Sequence, residues 1–157
     1  MKILVVGATG VIGREVVSAL SGDNEIVAVS HTHTPITVDL GNPASIRALY
    51  KSAGKIDAVV CAAGNARFKP LGQLTDEDFQ FSLNNKLMGQ VNLIRFGFDN
   101  VSDRGSFTIT SGVLSKSPMA GSGAISLVNA GLEGFMRAAA LEGPAKLRVN
   151  CVSPPWV

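Results

Sequence analysis

The sequence is short of several things at once: cysteine, histidine, tryptophan, tyrosine and net charge. Its 157 residues include two cysteines, two histidines, one tryptophan and one tyrosine. Two cysteines do not make a disulfide framework. Cys61 and Cys151 sit at the ends of expected strands, with another strand expected between them, and they read as reduced packing thiols of a cytoplasmic protein. His31 and His33 have the spacing of a metal pair, but no acidic or thiol partner stands near them, so no metal is expected. Fourteen basic residues face twelve acidic ones, a net charge of +2, and the basic residues form no cluster. That argues against nucleic acid or a charged membrane surface as partner. The longest apolar runs are strand-length, which excludes a membrane span. Residues 3–6 are too short for a signal-peptide core, and glycine interrupts them at once.

What remains is a chain that is 46% hydrophobic and 17% charged, enough for a substantial core in one domain. Its clearest feature is residues 2–13, an apolar run that breaks into Gly7, Gly10 and Gly13. A buried strand is expected to run there into a phosphate cradle. Gly7 permits a tight turn with positive φ, Gly10 lets a pyrophosphate approach the backbone, and Gly13 lets the following helix pack close to the strand. The helix starting near Val11 points free N–H groups and its positive dipole end at the anion.

Strand and helix patterns alternate along the rest of the chain. Strands are expected at 2–6, 25–29, 36–39, 57–61, 105–110 and 147–152. Helices are expected at 11–21, 43–53, 75–99 with a break, and 122–142. Asn42-Pro43 reads as a helix start. Thr75 to Asp78 reads as a capping box with aspartate in place of glutamate, and Gly143-Pro144 as a helix stop. The alternation predicts a single doubly wound α/β domain of Rossmann type. Its sheet is parallel, covered on both faces and ordered 3-2-1-4-5-6. Ligands of such sheets bind beyond the carboxyl ends of the strands, where the strand order switches.

The order of motifs resembles the short-chain dehydrogenase/reductase family over nearly the whole chain. Gly7-Ala8-Thr9-Gly10-Val11-Ile12-Gly13 is similar to its cofactor turn, and Val38-Asp39-Leu40 to its adenine-contacting strand end. Cys61-Ala62-Ala63-Gly64 is similar to its Asn-Asn-Ala-Gly motif. Ile109-Thr110-Ser111 is similar to the strand end that carries its catalytic serine. Leu132-Glu133-Gly134-Phe135 resembles the middle of its active-site helix, and Arg148 to Pro154 the strand and turn near the nicotinamide. The resemblance implies an NAD(P)-binding oxidoreductase acting on a carbonyl or alcohol. It implies cofactor contacts from Gly7, Thr9, Gly10, Val11, Ile12, Gly13, Asp39, Leu40, Ala62, Ala63, Gly64, Asn129 and Pro154.

The chain departs from the family at its chemistry. The family's Tyr-x-x-x-Lys pair aligns with Ile125 and Asn129. Isoleucine transfers no proton, whereas Asn129 still has an amide for a ribose hydroxyl. The single tyrosine, Tyr50, falls in the helix expected over 43–53, away from the site. Lys86 stands where the family has the asparagine of a proton relay, and a register shift would present Asn84 or Asn85 instead. Lys86 reads as a solvated helix lysine or as a replacement acid. Ser111 is the surviving catalytic residue of the pattern, either donating to a substrate carbonyl or satisfying backbone groups at a strand end.

Cofactor choice follows from the end of the second strand. NAD enzymes hold the ribose there with a carboxylate, but none occurs between Glu25 and Asp39. Ser30, His31 and Thr32 offer hydroxyls and an imidazole to a 2′-phosphate, so NADP is expected ahead of NAD. The small residues of the 122–142 helix imply a homo-oligomer. The family continues past the Ser-Pro turn with a lid and a last strand. Here the sequence ends at Pro154-Pro155-Trp156-Val157, so that strand and lid are expected to be missing. Two function classes remain open: an oxidoreductase with a degenerate site, and a dinucleotide-binding sensor or structural protein without that chemistry.

Overall fold

The computed structural model describes residues 1–144 and 146–155. Trp156 and Val157, in the expected terminal turn, lie outside the described residues. Six strands form one parallel sheet: β1 (Lys2–Val6), β2 (Glu25–Ser30), β3 (Ile36–Thr37), β4 (Ile56–Cys61), β5 (Val101–Thr110) and β6 (Arg148–Val152). The order is β3-β2-β1-β4-β5-β6, as expected. The helices are α1 (Val11–Leu20), α2 (Pro43–Ala53), α3 (Asp76–Ser82), α4 (Gly89–Gly97) and α5 (Gly123–Glu142).

Helix α1 covers one face, setting Val16, Val17 and Leu20 against Ile3, Val5 and Ala58. The other face holds the larger core, where Leu4, Val6 and Phe107 meet Ile46 and Leu49 of α2, Leu93 and Ile94 of α4, and Leu132 of α5. The coverage is unequal. On β5 and β6, Phe107, Ile109 and Val149 are buried, while Arg148, Asn150 and Val152 alternate outward and are exposed. Full cover on both faces therefore does not extend to β6 among the described residues.

Local chemistry explains where the boundaries fall. Strand β3 ends two residues before the expected limit because the backbone finds other partners. Asp39 N donates to Ser45 Oγ, and Asp39 Oδ1 accepts from Gly41 N at 2.9 Å, which turns the chain into α2. Asn42 caps α2 by accepting from Ala44 N. The capping box is present: Thr75 Oγ1 accepts from Asp78 N, and Asp78 Oδ2 accepts from Thr75 N. The break in the 75–99 helix is a π turn over Leu83–Met88, bounded directly by α3 and α4. Such turns shift the register of side chains and recur at functional sites.

Candidate functional site

The glycine turn behaves as its spacing predicts. Gly7 has φ +86°, and a Cβ there would strike Ala62 O and Ala63 Cβ, both at 2.8 Å. A Cβ on Gly13 would lie 1.9 Å from Gly7 O, so α1 can approach the turn only without a side chain. Gly10 is exposed and is the N-cap of α1, which has no side-chain cap. The first-turn N–H groups are thereby left to a ligand.

Two joined cavities lie over the carboxyl ends of the strands. The outer one, of about 520 Å³, is lined by Gly7, Thr9, Gly10, Ser30, His31, Asp39 and Leu40. The inner one, of about 390 Å³, is lined by Ile12, Lys86, Ser111, Ile125, Asn129 and Pro154. Ala62, Ala63, Gly64 and Asn65 line both and connect them. Together they form a groove across the point where β1 is flanked by β2 and β4, the switch in strand order. Three expected contacts stand apart from the lining. Gly13 lies beneath the turn, Val11 points out of the first turn of α1 and is 66% exposed, and exposed Thr32 hydrogen-bonds His33 Nδ1 at 2.6 Å. Ser30 lines the groove, but its hydroxyl accepts from His33 N and pairs with Thr34 Oγ1.

The loop walling the groove is stapled to α3 and the π turn. Asn65 N donates to Asn85 Oδ1, and Arg67 N donates to Ser82 Oγ. The π turn thus aims Asn85 at the outer cavity and Lys86 at the inner one. One turn further on, the fully buried Gln90 brackets β5: its Nε2 donates to Thr110 O and its Oε1 accepts from Thr110 N. Lys86 Nζ then donates to Ser111 O at 3.2 Å. Burial holds its ammonium below the usual lysine range.

Ser111 is 2% exposed, and its hydroxyl is already engaged. It donates to Glu133 Oε1 at 2.8 Å, lies 3.3 Å from Asn129 O, and accepts from Ser153 Oγ at 3.3 Å. The same Glu133 oxygen accepts from Ser115 Oγ at 2.5 Å and Ser153 Oγ at 2.8 Å. These serines, Ser115 foremost, hold the carboxyl below the usual glutamate range, and Lys116 adds to the effect. One carboxylate therefore ties the end of β5, the turn after it and the turn after β6 to α5. Glu133 lies in the stretch that resembles the active-site helix, but the resemblance implies no role for it. Its signal was spacing: Ile125, Asn129 and Glu133 recur every four residues and share one face of α5. Asn129 is also buried, and its Oδ1 has no hydrogen-bond partner among the described residues. Tyr50 is remote from all of this: it is buried, and its hydroxyl donates to Leu93 O at 2.5 Å.

A six-stranded parallel sheet with a glycine turn and a groove at its switch point defines a Rossmann-type α/β protein. The pattern of the family described as enoyl-(acyl carrier protein) reductase matches residues 11–157. The chain belongs to the short-chain dehydrogenase/reductase family. It is 27% identical over 150 residues to hydroxynaphthalene reductase arp2 of Aspergillus fumigatus, spanning 92% of this chain and 55% of that protein. The chain thus spans about half the length of the curated relatives it matches. The solved structure of lin1944 from Listeria innocua shares 38% identity with a TM-score of 0.97, covering 100% of this chain and 78% of that one. A small-chain dehydrogenase solved with NADPH shares 26% identity with a TM-score of 0.90, covering 98% of this chain and 69% of that one. No described helix is long and apolar enough to cross a membrane.

Proposed function

We propose that this chain binds NADP(H) along the groove and is the dinucleotide-binding part of an oxidoreductase acting on a carbonyl or alcohol, with a degenerate site. The observation that carries the reading is the cradle itself. Gly7 and Gly13 have no room for a Cβ, the first turn of α1 opens on the groove, and Asn129, whose buried Oδ1 has no partner among the described residues, lines the groove's far end. These features fit a dinucleotide. The pyrophosphate lies at Gly7–Gly13, the adenosine end in the outer cavity against Asp39 and Leu40, and the nicotinamide end in the inner cavity against Ile12, Ala62–Gly64, Asn129 and Pro154. When bound, the cofactor supplies or accepts a hydride.

His31 favours NADP over NAD, since it reaches the outer cavity where a ribose-holding carboxylate would otherwise stand. Ser30 contributes less than its position alone implies, because its hydroxyl is held by His33 and Thr34. Titration of the protein with NADPH and NADH tests this. His31→Asp is expected to weaken NADPH about tenfold or more and to spare NADH, because it sets a carboxylate against the 2′-phosphate. Equal loss of both refutes the preference, and no binding of either by the parent refutes the cofactor.

The second reading, a dinucleotide-binding protein without dehydrogenase chemistry, is favoured by two details. Ile125 lines the cavity at the family's tyrosine position, and the Ser111 O–H points at Glu133. A screen of carbonyl substrates with NADPH separates the two readings, and turnover abolished by Ser111→Ala supports the first. We also propose that α5 pairs between two copies of the chain. Gly131 packs within the chain against Leu87, but Ala130, Ala138 and Leu127 stay exposed. A monomeric mass at micromolar concentration overturns that pairing.

A further inference from the structure

Lys86 is the one charged side chain among the described residues that line the inner cavity. Lys2, Lys69 and Lys116 each have a carboxylate beside them, on Glu25, Asp78 and Glu133. Lys86 is half-buried and has no such partner among the described residues; its ammonium donates to Ser111 O at 3.2 Å. Glu133, the acid of the site, is engaged by three serines and by Lys116. Only the thiols of Cys61 and Cys151 act on the charge of Lys86, and burial pushes both thiols up, so both stay neutral. A buried ammonium costs free energy unless an anion meets it. The apolar wall of Ile12, Ala63, Val113 and Ile125 strengthens any such attraction. On the dinucleotide reading the cofactor does not supply that anion, because its pyrophosphate lies at the Gly7–Gly13 turn and Lys86 lines only the inner cavity.

We propose that Lys86 binds the carboxylate of a 2-oxo acid or of the corresponding 2-hydroxy acid. The proposal rests on the reading of the chain as an NADP(H)-binding oxidoreductase and names its substrate class. The spacing of the two groups follows from the site. Lys86 Nζ is bonded to the carbonyl oxygen of Ser111, the residue that also carries the hydroxyl of the family's catalytic position. An anion at Nζ and an oxygen at Ser111 are therefore close enough to sit on neighbouring carbons. The stem of Lys86 is fixed across Gly64, where a Cβ would come within 3.1 Å of its Cγ, so the ammonium has little freedom to leave. The apolar wall takes the remainder of the acid. Lys86 is then a binding residue that sets specificity.

The test is calorimetric and needs no turnover. The protein is saturated with NADP⁺, which cannot reduce a 2-oxo acid. Phenylglyoxylate, its methyl ester and phenylacetate are then titrated into the parent and into Lys86→Met. Methionine keeps an unbranched stem over Gly64 and removes the ammonium. The parent is expected to bind phenylglyoxylate about tenfold or more tighter than the ester, which lacks the charge that strengthens the hydrogen bond. It should also prefer phenylglyoxylate to phenylacetate, which has the carboxylate without the neighbouring oxygen. Lys86→Met should lose the preference for acid over ester while still binding NADP⁺. The acid and the ester are compared in the parent, so the proposal stays falsifiable if the variant fails to fold. A parent that binds NADP⁺ and shows no preference for the acid overturns the anion site and leaves the dinucleotide reading standing. A preference retained by Lys86→Met overturns the role of Lys86. Phenylacetate bound as tightly as phenylglyoxylate overturns the 2-oxo acid class. Failure of NADP⁺ to bind the parent overturns the dinucleotide reading and this proposal with it.

Discussion

The two halves of the groove differ in what they are made of. The outer half is centred on the backbone of the Gly7–Gly10 turn and the first turn of α1, with His31, Asp39 and Leu40 around it. It follows the family pattern closely. The inner half adds side chains from several elements, among them Lys86, Ser111, Ile125 and Asn129, with Glu133 bonded to Ser111. An anion cradle depends on chain geometry that the whole fold must satisfy, so it changes only at the expense of folding. Proton transfer depends on single side chains, so it can be lost while the sheet, the turn and the cavity persist.

The largest expected effect comes from adding an acid–base group to the inner half. Ile125→Tyr brings a phenol into the cavity that already holds Lys86 and Ser111. General acid–base catalysis contributes about 10²–10⁴-fold, so NADPH-dependent carbonyl reduction should rise from little or none by a factor in that range. The rate of NADPH oxidation over a panel of ketones and aldehydes measures it. A parent that turns over briskly, with no gain in the variant, breaks the contrast between the halves.

Next comes the outer half, where fold and binding are expected to part company. Gly13→Ala forces a Cβ toward Gly7 O and should cost about 3 kcal/mol or more in denaturant unfolding. Gly10→Ala meets only Gly7 O at 3.4 Å, so its folding cost should stay near 1 kcal/mol. Its NADPH affinity should nevertheless fall, because the methyl occupies the space a pyrophosphate needs. Equal unfolding midpoints for the two variants would show that α1 does not approach the turn as closely as the structure has it.

Glu133→Gln probes the support under Ser111 and should destabilise the protein by about 1–3 kcal/mol near neutral pH. The native carboxyl titrates below its unfolded value of about 4.3. Its contribution is therefore complete above that value and disappears as pH falls through the lower native one. The stability difference between parent and variant should be flat above about pH 6 and shrink toward about pH 3. A difference independent of pH over that range would mean that the three serines do not favour the ionised form.

The smallest effect belongs to a residue outside the groove. Tyr50→Phe removes one buried hydrogen bond to Leu93 O, worth about 1 kcal/mol, and should leave NADPH affinity unchanged. Burial also pushes this phenol well above its usual range. Tyrosinate absorbance should therefore appear only as the protein unfolds in alkali. A change in cofactor affinity would show that the core behind β5 is coupled to the inner half.

By itself the sequence determined the outer half and the frame around it. Alternating apolar runs set the sheet and its order, and the three glycines marked a turn whose close approach to α1 is local, while the crowding over Gly7 comes from Ala62 and Ala63 at the end of β4. Ile125 and Asn129 are four apart in sequence, and both line the inner cavity from one face of α5. Tertiary structure decided the inner half. Glu133 gathers Ser111, Ser115 and Ser153 from positions up to 22 residues away in sequence, and no short pattern announces that convergence. The π turn over Leu83–Met88 likewise packs against α5, and Asn85 lines one cavity while Lys86 lines the other. Periodicity reports which face of an element is buried. Which side chains meet over the ends of different strands is fixed only when the sheet closes its register.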